Sequence, residues 1–111
     1  MISDYDKRII SLMVDKINRL IEIVSTHSDK EIESDFVLSD AMQYEFEKLY
    51  EDSQRLTEEL RTIFGNQIHI DDLRGIRNRV AHDYESVSLT ILLDTAKNDL
   101  PILKSDLMKL L

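Results

Sequence analysis

The sequence predicts an all-α fold, an up-and-down bundle of four helices in a single domain spanning residues 1–111. The chain contains only two glycines, one proline and no cysteine. Hairpin turns and β-bulges usually require more glycine than this. Apolar residues also recur at intervals of three or four over most of the chain, which is the spacing of one helical face.

The first helix is predicted from about Asp4 to Ser25. Its apolar face consists of Ile10, Met13, Val14, Ile17, Leu20, Ile21 and Val24. Its opposite face carries the charged residues Lys7, Asp15, Lys16, Arg19 and Glu22, which we expect to be solvated. His27 follows in a polar connector and is interpreted as an ordinary loop residue.

A long second helix is predicted after a loop from Ser28 to Ser39, with Ser39 or Asp40 as its N-cap. Its apolar positions run from Leu38 to Ile63, and Gly65 supplies a natural stop. An acidic face of this helix comprises Glu45, Glu47, Glu51, Asp52, Glu58 and Glu59. Because no histidine accompanies these carboxylates, a solvated surface is favoured over a metal site.

The third helix is predicted to follow a turn from Gly65 to Ile70. His69, Asp71 and Asp72 suit a helix start, where carboxylates interact favourably with exposed amides, better than a metal site. Gly75 costs roughly 1 kcal/mol inside a helix relative to alanine. Its presence predicts that another backbone passes close by, with a dimer partner as the first candidate.

The fourth helix is predicted to begin after Ser88. Its apolar face comprises Leu92, Leu93, Ala96, Leu100, Leu103, Leu107 and Leu110. Pro101 lacks a backbone donor, so the helix should kink or restart near Asn98 and Asp99.

Groups suited to phosphate chemistry are concentrated between Arg74 and Tyr84. Arg77 offers a planar cation for phosphate oxygens, Asn78 a neutral donor and acceptor, and His82 a group that exchanges protons near neutral pH. This spacing is also compatible with a surface arginine and a capping histidine. The residue pattern alone leaves both interpretations open.

The wider context of this segment resembles the HEPN superfamily, specifically its HepT-like branch. The family motif is arginine, four residues, histidine, any residue and tyrosine, with a polar residue commonly following the arginine. It falls here on Arg77, Asn78, His82 and Tyr84. The similarity runs from about Ile68 to the C-terminus, with a weaker match from Asp40 to Leu60.

This resemblance implies a metal-independent endoribonuclease that needs no cofactor. Arg77, Asn78 and His82 would be catalytic, and two copies of the motif would meet across a homodimer. The resemblance further implies a toxin paired with a minimal nucleotidyltransferase antitoxin, which transfers AMP to Tyr84. The alternatives are a non-catalytic helical dimer that binds the nucleotidyltransferase, and a helical adaptor with no enzymatic partner.

The charge distribution limits the partners. The net charge is −8, and residues 1–60 carry all of this excess, with 7 Lys/Arg against 15 Asp/Glu. Residues 61–111 are neutral overall, so Arg74 and Arg79 can add to a local positive site for one phosphate. The charge distribution is therefore compatible with an enzyme that cleaves RNA. It does not favour a protein that coats RNA or binds DNA.

No apolar run approaches the roughly 20 residues of a membrane span, and the first residues lack a signal-peptide core. We therefore expect no membrane partner and a cytoplasmic location. The absence of cysteine removes disulfides and thiolate metal ligands.

Overall fold

The computed structural model describes residues 2–66, 72–75 and 86–111 of the chain. These residues form helices and short connections without any β-strand, which confirms the all-α fold. The helices are α1 (Asp4–Thr26), α2 (Asp29–Ser34), α3 (Phe36–Arg55), α4 (Glu58–Phe64), α5 (Ser86–Asn98) and α6 (Leu100–Met108). A further short helical segment covers residues 72–75.

Helix α1 forms the centre of the bundle and packs against α3, α5 and α6. The Oγ of Ser3 accepts a hydrogen bond from the backbone N–H of Asp6 at 3.1 Å and caps the first turn. The apolar face predicted from periodicity is buried except at Ile21 and Val24, which are partly buried, so the prediction of this helix is confirmed. The fully buried side chains of α1 are Ile9, Ile10, Met13, Ile17 and Leu20.

Helix α2 occupies the region predicted to be a loop, so that prediction is wrong. The Oγ of Ser28 accepts from the N–H of Glu31 at 3.1 Å, and Oε1 of Glu31 accepts from the N–H of Ser28 at 3.0 Å. This capping box starts a helix that is too short to show a periodic apolar pattern. The hydrogen bond from Ser28 also lowers the pKa of Glu31. Ile32 is fully buried and attaches the short helix to the core.

Helix α3 begins at Phe36, earlier than predicted. Its N-cap is Asp35, whose Oδ1 accepts from the N–H of Val37 at 3.0 Å, rather than Ser39 or Asp40. The start was predicted too late because the first turn of α3 directs its apolar side chains into solvent. The buried face of the helix starts only at Met42.

The long second helix predicted from the sequence is interrupted, so this prediction is also wrong. Leu56 and Thr57 have extended backbone conformations, and Thr57 caps α4. Asp6 of α1 stabilises this interruption between α3 and α4. One of its carboxylate oxygens accepts from the N–H of Thr57 at 2.9 Å, and the other accepts from the Thr57 hydroxyl at 2.5 Å. Helix α4 then ends at Gly65, as predicted.

We expect Asp6→Ala to lower the free energy of unfolding by about 3 kcal/mol, because hydrogen bonds to charged groups contribute roughly 1.5–3 kcal/mol each. Asp6 is only 3% exposed, so water cannot readily replace both bonds. Urea unfolding followed by circular dichroism measures the change. Asp4→Ala is the matched control, since Asp4 lies in the same helical turn but is exposed. Equal losses in the two variants would contradict this role of Asp6.

The predicted fourth helix is divided into α5 and α6 at Asp99. Pro101 lies in the first turn of α6, where a missing backbone N–H costs no helical hydrogen bond. The predicted restart near Asn98 and Asp99 is therefore confirmed. The two helices together contribute buried Leu92, Leu93, Ala96, Leu100, Leu103 and Leu107 to the core.

Candidate functional site

Most of the sequence-predicted site lies outside the described residues. This applies to Arg77, Asn78, Arg79, His82 and Tyr84, whose roles stay predictions. Arg74 is described and lies exposed on the helical segment 72–75. Its neighbour Leu73 is buried in the core with 3% exposure. Leu73 thus attaches the chain to the core four residues before Arg77.

The predicted close approach at Gly75 has no counterpart in the described part of this chain. A Cβ atom built on Gly75 would have no atom within 4 Å. No described element of the same chain therefore requires glycine at this exposed position. The predicted contact with a dimer partner stays a prediction.

A buried charged group joins α1 to α3 where the sequence predicted two solvated faces. Lys16 Nζ lies 2.6 Å from Oδ2 of Asp52, and Arg55 Nη1 lies 3.4 Å from its Oδ1. Asp52 is only 5% exposed. The prediction that Lys16 and Asp52 are solvated is therefore wrong. Because the Asp52 charge is balanced by two cations, this group suits helix pairing better than proton transfer.

A second ion pair links the same helices. Arg19 Nη2 lies 3.0 Å from Oε2 of Glu45, and the hydrogen bond to Glu45 raises the pKa of Arg19. The Glu45 side chain is largely buried, so the prediction that it lies on a solvated face is wrong. Residues later in α1 thus pair with residues earlier in α3. This order shows that the two helices run antiparallel and fixes their register.

The side chain of His27 already has hydrogen-bond partners at the C-terminal end of α1. Its Nδ1 lies 3.2 Å from the carbonyl oxygen of Ile23 and 3.0 Å from the hydroxyl oxygen of Thr26. His27, interpreted from the sequence as an ordinary loop residue, is the C-cap of α1.

Neither a metal centre nor a membrane span is found in the described ranges. Residues 2–66, 72–75 and 86–111 bring no three histidine or carboxylate side chains together in a way that could hold a metal ion. Within the same ranges, no helix is both long and apolar enough to cross a bilayer.

A helical bundle combined with the arginine–histidine motif defines a class of small helical proteins suited to phosphate chemistry. A family model described as "Ribonuclease HepT-like" matches residues 13–110. The chain belongs to this HepT-like ribonuclease family and is an endoribonuclease of the HEPN type. The match is longer than the similarity recognised in the sequence and includes every candidate residue from Arg74 to Tyr84. No solved structure matches the chain.

Proposed function

We propose that this chain is the toxin of a toxin–antitoxin pair and cleaves RNA without a metal ion. The observation that carries the proposal is the family match over residues 13–110, which includes the complete motif from Arg77 to Tyr84. The motif provides a proton-transfer group, a phosphate-binding cation and an acceptor for modification within eight residues.

The proposed reaction begins when His82 removes the proton from a ribose 2′-OH. The 2′ oxygen then attacks the adjacent phosphorus, and the 5′ oxygen of the next nucleotide leaves with a proton from an acid. Histidine suits both proton transfers because its side chain titrates near pH ~6.5. The products are a 2′,3′-cyclic phosphate and a 5′-hydroxyl.

Arg77 would stabilise the negative charge that develops on the phosphorane, because a guanidinium group can bind two phosphate oxygens. Asn78 would orient either the phosphate or His82. Arg79 and Arg74 would add supporting phosphate contacts. The neutral balance of residues 61–111 supports this assignment, since the acid excess of the chain lies in residues 1–60.

Two copies of the motif would form the complete site across a two-fold homodimer. Each chain has one His82, whereas the reaction needs a base at the 2′ oxygen and an acid at the 5′ oxygen. A second copy supplies the missing group. The exposure of Gly75 beside the motif supports a close approach between chains, since a residue without a side chain lets two backbones meet.

Regulation would come from a minimal nucleotidyltransferase antitoxin that transfers AMP to Tyr84. The phenolic oxygen attacks the α-phosphorus of ATP, pyrophosphate leaves, and the phenolic proton passes to a base. The added phosphate would then lie two residues from His82 in sequence.

We expect cleavage of single-stranded RNA to continue unchanged in EDTA, because the proposed reaction uses only side chains. The measurement is a cleavage time course with purified protein, with and without the chelator. Mass spectrometry of the fragments should show cyclic phosphate ends. Circular dichroism in EDTA serves as the control for folding. Activity that disappears in EDTA while the fold is kept, and returns with a divalent ion, would contradict metal independence.

A further inference from the structure

The outer face of α3 exposes large apolar side chains to solvent. Phe36 is 75% exposed, Val37 60% and Tyr44 57%. Successive helical residues are about 100° apart, so these three lie within one arc of roughly 100°. This arc is opposite the face on which Phe46 and Leu49 enter the core. Single exposed apolar residues are common on protein surfaces, but a cluster on one face indicates binding.

Acidic residues surround this apolar cluster. Asp35, Asp40, Glu47 and Glu51 are all exposed, and the last three lie on the same arc of α3. We call Phe36, Val37, Asp40, Tyr44, Glu47 and Glu51 the α3 outer face.

Arg55 and Lys48 both border this arc, and Arg55 is paired with Asp52. Lys48 is paired within α3 as well. Its Nζ lies 3.1 Å from Oε2 of Glu51 and 5.4 Å from the centre of the Tyr44 ring. Lys48 therefore neutralises Glu51 locally, whereas Asp40 and Glu47 form no ion pair with any described residue. The α3 outer face thus combines aromatic area with an excess of negative charge.

We propose that the α3 outer face is a docking surface for a partner protein whose own surface presents Lys or Arg beside an apolar recess. Phe36 is the anchor, since an aromatic ring with this exposure gains most from entering a recess. Asp40 and Glu47 attract the basic partner and fix its orientation. The proposal does not depend on RNA cleavage or on modification of Tyr84.

The charge of this face disfavours the other occupants. RNA and anionic lipid surfaces carry the same sign as Asp40 and Glu47, so they are repelled. A second copy of this chain is also disfavoured, because a two-fold contact brings the same patch together on both subunits. Asp40 and Glu47 would then face their own counterparts, while the bordering cations Lys48 and Arg55 are already paired within α3.

The test begins with photo-crosslinking in native host cells. The photoreactive amino acid p-benzoylphenylalanine replaces Phe36 or Tyr44 in separate full-length chains, and a third chain carries it in place of Asp15 on the exposed surface of α1. We expect one protein to be crosslinked from both α3 positions and not from the α1 position. Adducts that contain only RNA or a second copy of this chain, or adducts equal to those from α1, would overturn the proposal.

The crosslinked protein is then purified and its affinity measured by calorimetry. Phe36→Ala/Tyr44→Ala and Asp40→Lys/Glu47→Lys should each weaken binding at least tenfold. Asp15→Lys/Glu22→Lys is the matched control, because it makes the same charge change on exposed residues of α1. Thermal unfolding checks that all variants remain folded. Equal affinity for wild type and both α3 variants would overturn the proposal, and neither outcome depends on whether the chain cleaves RNA.

Discussion

His82→Ala should reduce RNA cleavage by about 10³-fold, since positioned general acid–base groups contribute roughly 10² to 10⁴ in rate. Alanine offers no atom that can accept the 2′-OH proton. Arg77→Ala should reduce the rate by roughly 10²-fold or more, because stabilising developing charge has a comparable effect. Initial rates on a fluorescent single-stranded RNA at fixed pH measure both losses. Retained cleavage in His82→Ala would exclude this residue as the base.

The same variant tests whether the site belongs to a dimer. Light scattering at micromolar concentration should first show twice the chain mass of 13.0 kDa. Wild-type chains are then mixed and equilibrated with a ninefold excess of His82→Ala chains. If each site needs two His82 side chains, mixed dimers are inactive, and the activity per wild-type chain falls about tenfold. Unchanged activity per wild-type chain, or a monomeric protein, would contradict the composite site.

The helices that the sequence predicted correctly are those whose signals are local. Helix α1 shows about four turns of regular apolar spacing from Ile10 to Val24. Pro101 indicates the restart of the last helix because its ring removes a backbone donor. The break at Thr57 has no comparable local signal. It depends on Asp6, 51 residues earlier in the chain, which replaces helical hydrogen bonds with bonds to its carboxylate. Periodicity within one helix cannot detect such a contact.

The buried ion pairs were missed for a related reason. The sequence analysis placed Lys16 on the polar face of the first helix and Asp52 on the acidic face of the second, where charged residues are usually solvated. Burial of both followed from the antiparallel packing of α1 on α3, which brings each charge to its counterion. By contrast, the candidate site could be recognised from the sequence because Arg77, His82 and Tyr84 form a short motif with fixed spacing. The pairing of two such motifs is not encoded in that spacing.

Tyr84→Phe should keep RNA cleavage within about threefold of wild type but abolish silencing by the nucleotidyltransferase and ATP. A phenol with an ordinary pKa near 10 is a poor base at neutral pH, so its hydroxyl is dispensable for proton transfer. It is nevertheless the acceptor for AMP in the proposed switch. Phosphate added at this position can form charge-assisted hydrogen bonds with Arg77 and Arg79. Modification would then occupy the cations that RNA requires.

Three other tyrosines, Tyr5, Tyr44 and Tyr50, could accept AMP in place of Tyr84. Tyr44 is well exposed, whereas the Tyr5 hydroxyl donates a hydrogen bond to the carbonyl oxygen of Arg55 at 3.0 Å. Tyr44→Phe is therefore the matched control, and it should be silenced as completely as wild type. After incubation with the nucleotidyltransferase and ATP, peptide mass spectrometry should show AMP on the peptide containing Tyr84. AMP on Tyr5, Tyr44 or Tyr50 instead, or complete silencing of Tyr84→Phe, would place the switch elsewhere. Cleavage lost in unmodified Tyr84→Phe would instead make the hydroxyl part of the reaction, because the only group removed is the one that accepts AMP.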